Sequence, residues 1–127
     1  MDLVFHLGAH ATDDERLVRT LATNPEAMTA ARSHAPAPAA YRMALRDALI
    51  GLKGRPADAE TQDRLRAACL RGARGPVERL VFSYENFLAL PERAIGASGL
   101  YPAAADKLVP LANLFPQDRT EFHLGLL

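Results

Sequence analysis

The 127-residue chain has no tryptophan, a single cysteine and no excess of either charge. One cysteine, Cys69, excludes an intramolecular disulfide, so the fold must be held by its core. A lone thiol fits a reducing compartment, and a cytoplasmic location is expected. Fifteen basic residues balance fifteen acidic ones. That balance excludes a broad positive field for nucleic acid or an anionic membrane surface, and neither partner is expected. No apolar run approaches the roughly 18 residues that a bilayer span requires. Asp2 near the start, with no basic stretch ahead of an apolar run, argues against a secretory leader. Lysine is scarce while alanine and arginine are abundant, a usage that points to a GC-rich bacterial genome.

What is present suits one globular domain over residues 1–127. Apolar residues make up 49% and charged residues 24% of the chain, ordinary values for a packed domain. A chain this long can bury about two-thirds of the surface its unfolded state exposes.

Three short apolar runs read as strands: Leu3–Leu7, Arg79–Phe82 and Glu121–Leu126. They are rich in Val, Leu and Phe and nearly continuous, as buried strands of a parallel sheet are. Roughly seventy residues separate the first two and roughly forty the second and third, spacings that need helical crossovers and exclude tight hairpins.

The segments between them carry helical periodicity. Leu17, Val18 and Leu21 form a stripe after Thr12 that stops near Asn24–Pro25. Tyr41, Leu45, Leu49 and Leu52 fall on one amphipathic face. Asp58 can cap a third helix in which Leu65 and Cys69 share a face, and Gly72 and Gly75 end it. Pro102 suits a first helical turn. Leu108, Leu111 and Leu114 or Phe115 form the last stripe, in which Pro110 should kink or divide the helix. Residues 33–40, with paired prolines, read as the longest loop. The whole is an α/β fold: a small, mainly parallel sheet with helices on both faces. Any crevice should lie beyond the carboxyl ends of the strands, at His6–Asp14 and Ser83–Phe87.

The first of these segments is the most informative. His6-Leu7-Gly8-Ala9-His10-Ala11-Thr12 follows an apolar strand and precedes a helix. It resembles the phosphosulfate-binding loop of bacterial sulfotransferase-like proteins, H-x-G-x-x-K-T-G-T-T. The resemblance implies a P-loop-type α/β fold, sulfuryl transfer from 3′-phosphoadenosine 5′-phosphosulfate, and a third strand lying between the first and second. His6, Gly8 and Thr12 match the pattern, and His10 lies within the same turn. The lysine position holds Ala11, the glycine position Asp13, and the two hydroxyl positions Asp14 and Glu15. A phosphate loop depends on free N–H groups at a helix N-terminus, with lysine adding charge. Here Thr12-Asp13-Asp14-Glu15 reads instead as a capping box that satisfies those donors internally.

Val81-Phe82-Ser83-Tyr84-Glu85-Asn86-Phe87 is similar to the family's S-x-E-N-F segment. In this resemblance Ser83 and Glu85 face the substrate crevice as hydrogen-bonding and acid/base groups. The alternative is that Ser83 ends the strand and Glu85 or Asn86 caps a short helix. The family's R-N-P-like turn after the third strand, whose arginine binds the 3′-phosphate, has no counterpart up to Leu127. The resemblance covers the front half of a family member, so the fold is expected to be incomplete.

Other clusters are weaker. His6 and His10 lack a third ligand, so no metal site is expected. His34 and His123 read as structural or solvated, and Cys69 as a small buried hydrophobe. Arg42, Arg46 and Asp47, with Arg64, Arg66 and Arg71, read as solvated faces, and Arg71, Arg74 and Arg79 as a loose basic cluster near a strand start. The expected function is a sulfotransferase-like domain without competent catalysis and without a bound cofactor. An alternative is a portion of an active sulfotransferase that uses the phosphosulfate donor and is completed by a C-terminal half beyond Leu127. A third reading, a protein-interaction domain, predicts homo-oligomers.

Overall fold

A computed structural model describes residues 1–11 and 15–125 of the chain. The Leu3–Leu7 run folds as β1, Asp2–His6. It is followed by α1 (Arg16–Ala22), α2 (Pro25–Ala30), β2 (Ser33–His34), α3 (Pro38–Leu52) and α4 (Ala59–Cys69). Then come β3 (Arg79–Ser83), a 3-10 turn at Pro91–Arg93, a hairpin of β4 (Ile95–Gly96) and β5 (Gly99–Leu100), α5 (Ala104–Ala112) and β6 (Arg119–His123).

β2, β3, β1 and β6 pair in that order, every pair parallel. The expected order, with the last strand between the other two, is therefore overturned. β1 holds the centre, with Asp2–His6 in register with Arg79–Ser83 on one edge and Arg119–His123 on the other. The burial patterns give the reason. β1 alternates buried and half-buried residues throughout, whereas β6 has exposed ends and no fully buried residue. β6 also begins two residues earlier than the Glu121 start read from the sequence and ends at His123. Leu126 and Leu127 lie outside the described residues.

Burial is lopsided across the sheet. Leu3, Phe5, Leu80 and Phe82 have no accessible surface. Phe5 stacks on Phe82 with ring centroids 4.6 Å apart and meets Phe87 and Phe122 at 5.4 and 5.5 Å. Tyr41 and Leu45 of α3, Leu65 and Cys69 of α4, and Leu111, Leu114 and Phe115 at α5 complete this core. The other face is thinner. Val4 and Val81 are half-buried there, and Asp2 pairs with both Arg79 and Arg119. α1 lies against β3, with Val18 buried outside the main cluster.

Several helix signals hold. The α3 stripe packs as spaced, and Asp58 caps α4 by accepting the Thr61 N–H at 2.8 Å. Those hydrogen bonds hold the Asp58 carboxyl below its ordinary range. Other expectations fail for local reasons. Residues 33–40 are not one long loop, because Ser33 and His34 pair with Arg79 and Leu80. Pro38 opens α3, a first-turn position that needs no amide donor. α2 begins at Pro25, where only a stop was read. α5 runs through Pro110 undivided, although proline there has no amide to bond the Asp106 carbonyl one turn earlier. Arg66 is not on a solvated face. It bonds Asp118 at 2.5 Å and lies 5.0 Å from the Phe115 ring, while Asp118 also accepts from the N-terminal ammonium at 3.2 Å.

Two buried groups generate predictions. The Tyr41 hydroxyl is buried with no hydrogen-bond partner among the described residues, and burial raises its pKa. Replacing Tyr41→Phe removes an unsatisfied polar group, so denaturant unfolding should show a gain of about 1 kcal/mol. Burial also pushes the Cys69 thiol from 9.0 up to about 12. The thiol is an acid whose folded pKa is raised, so its contribution is intact below pH 9 and is lost as pH climbs towards 12. Urea midpoints should fall between pH 8 and pH 10, and a Cys69→Ala variant should fall less steeply.

Candidate functional site

The ends of β1 and β3 place the two sequence motifs side by side. His6 and Ser83 are register partners, and His6 Nδ1 and Ser83 Oγ share a hydrogen bond of 2.8 Å. Ser83 is 3% exposed, so its hydroxyl is engaged by the histidine inside the protein. On the far side of the ring, a Cβ added at Gly125 would lie 3.2 Å from His6 Nε2. The Gly125 N–H donates to the Gly8 carbonyl, and the Ala9 N–H donates to the Gly125 carbonyl, both at 2.9 Å.

Gly8 has a left-handed φ of 88°, and a Cβ there would stand 3.4 Å from the Glu85 Cα. A side chain is disfavoured on both counts, which lets the first loop lie against the second. His10 then enters a closed network. Its backbone N–H donates to the Tyr101 hydroxyl at 2.9 Å, and its Nδ1 meets the same oxygen at 2.9 Å. Its Nε2 meets Asn86 Oδ1 at 3.0 Å, and Asn86 Nδ2 donates to the Tyr84 hydroxyl at 3.1 Å. These partners fit a neutral ring with its proton on Nε2. The Tyr101 O–H then donates to Nδ1 while its oxygen accepts from the main chain.

The next amide, Ala11 N–H, donates to Glu85 Oε2 at 3.3 Å. Glu85 thus aims its carboxylate at the loop backbone. Thr12, with Asp13 and Asp14, lies outside the described residues. Glu15, read as an interior residue of a capping box, is instead the residue before α1, with a φ of 60° and no side-chain capping bond. The helix starts at Arg16, one turn later than that motif required.

His6, Gly8, His10, Ser83 and Glu85 come together as one cluster. His6 and His10 do not share a target, and among the described residues no three His, Cys, Asp or Glu side chains gather as metal ligands. The sequence does not single out Tyr101, and it offers Asn86 as a helix cap rather than as a partner for His10. Tyr101 is buried with a left-handed φ of 49°. Nothing in the local sequence announces that its hydroxyl serves both the His10 N–H and Nδ1. What the arrangement does chemically is satisfy its own donors. No family model, curated protein or solved structure matches the chain.

Tyr101→Phe leaves the His10 N–H and Nδ1 without partners, and should lower stability by about 1–3 kcal/mol in thermal unfolding. Nitrogen NMR of the wild-type ring should show Nε2 protonated and Nδ1 not, with the Nδ1 signal moving most in the variant.

Proposed function

We propose that the chain is a sulfotransferase-like α/β domain that does not transfer sulfuryl groups as it stands. One observation carries this: consecutive loop amides, His10 and Ala11, are turned onto acceptors of the protein itself, Tyr101 and Glu85. The layout supports the family side of the proposal. A parallel strand ends in His6-x-Gly8, and the loop lies at the carboxyl edge of the central strand of a parallel sheet, where α/β proteins hold ligands.

The same layout does not fit the phosphosulfate donor. An anion at this loop would have to displace the Glu85 carboxylate from the Ala11 amide or sit beside it. Two unit charges about 4 Å apart repel by about 1 kcal/mol in water and by more when shielded from it. Ala11 supplies no cation in return. No chemical step is derived through that donor.

Isothermal titration with adenosine 3′,5′-bisphosphate tests the proposal. No heat of binding is expected at sub-millimolar nucleotide, and a micromolar Kd would refute it. In an Ala11→Lys, Glu85→Gln double variant, which restores a cation and removes the internal carboxylate, nucleotide binding should become measurable.

A further inference from the structure

A second feature adjoins the His10 network, since Tyr84 and Asn86 also line it. α3 and α5 stand apart above the segment that follows β3, leaving a groove of about 830 Å³. Its floor is apolar and includes Leu45, Phe87 and Leu111. Its borders also carry large apolar side chains that face solvent: Met43 is 55%, Ile50 62% and Leu90 49% exposed. These exposed side chains border one groove rather than lying scattered over the surface.

The charges around it are one-sided. Among the described residues that line the groove, Arg42, Arg46, Arg93 and Lys107 stand against one carboxylate, Asp106. Among the described residues none of the four cations has an ion-pair partner. The chain as a whole is neutral, with fifteen basic and fifteen acidic residues, so this concentration is local. The cations are also spread out. Arg42 and Arg46 stand one helical turn apart on α3, while Lys107 on α5 and Arg93 before it approach from the other elements. A ligand with one anionic head would engage one or two of them. A rod with acidic flanks and an apolar stripe would engage all four. The part of α3 that lines the groove, Tyr41 to Ile50, offers a wall of about 15 Å, enough for two to three turns of such a rod.

We infer that this groove binds an acidic amphipathic helix of a partner protein. The apolar stripe of the helix would lie over Met43, Ile50 and Leu90, and its carboxylates would face the arginines and Lys107. Methionine and arginine are both enriched in interfaces of this kind. Helix-in-groove binding reads anchors at i, i+3, i+4 and i+7, and opposed charges along both rims set its orientation. The inference does not depend on the state of the nucleotide loop.

The test uses the full chain and a small set of fluorescein-labelled synthetic helices of about 16 residues. Each has glutamate on its polar face and Leu, Met or Phe along its apolar stripe. Matched peptides carry lysine in place of glutamate. Anisotropy should give a micromolar Kd for at least one acidic peptide and no saturation with the lysine peptides. An Arg42→Glu, Arg46→Glu double variant changes only exposed side chains, and circular dichroism checks its fold. It should weaken binding about tenfold or more, and added salt should weaken the wild-type complex. The inference is overturned if no acidic peptide binds below 1 mM, if lysine peptides bind equally well, or if the double variant binds unchanged. It is also overturned if a dansyl-labelled fatty acid occupies the groove and the acidic peptides cannot displace it, or if light scattering shows a dimer that the double variant dissociates. Nucleotide titration reads a different site, so its outcome leaves this test standing.

Discussion

The contact on which the rest of the molecule depends is the packing around Phe5. Its ring stacks on Phe82, meets Phe87 edge-on and lies against Phe122. Those four residues belong to β1, β3, the segment beyond β3, and β6. One side chain thus sets the relative positions of the three long strands and of the loop that follows β3. Because β1 is paired on both edges, its end is rigid, and His6 can meet Ser83 across the register at 2.8 Å. The geometry of the site is a consequence of the core beneath it.

From that rigid end the chain closes in on itself. Gly8 brings the first loop against Glu85, and His10 and Ala11 find acceptors in Tyr101 and Glu85. The His10 and Ala11 amides are already bonded and have little to offer an anion, since any gain must exceed the bonds it breaks. The polar groups that a ligand would use elsewhere here hold two loops and the start of α5 together. Four cations without ion-pair partners among the described residues, Arg42, Arg46, Arg93 and Lys107, line the groove between α3 and α5.

Much of this was legible from residue order. Local periodicity was enough for α3, α4 and α5, because each has a stripe that fills one helical face. The apolar runs located β1 and β3. β2 was missed because Ser33 and His34 form a strand only by pairing with Arg79 and Leu80, and two polar residues carry no strand signal of their own. The order of the strands was misread for a similar reason. Which strand is central depends on the relative burial of β1 and β6, and β6 has no fully buried residue to advertise its place at the edge. At the site, His6, Gly8, His10, Ser83 and Glu85 were all identifiable. Tyr101 and Asn86 were not seen as their partners, because nothing local connects residues 76 and 91 positions away from His10.

The sequence by itself determined the class of the fold, the segments that meet at the carboxyl edge of the sheet, and the absence of a lysine where a phosphate loop would have one. These follow from composition and short-range spacing, which no later packing can alter. Only the tertiary structure decided where the donors and charges are used. It placed β1 at the centre, committed the His10 and Ala11 amides to Tyr101 and Glu85, took Arg66 into a bond with Asp118, and set Arg42, Arg46, Arg93 and Lys107 around one groove. Those outcomes depend on contacts between residues far apart in the chain, and such contacts exist only once the core has closed.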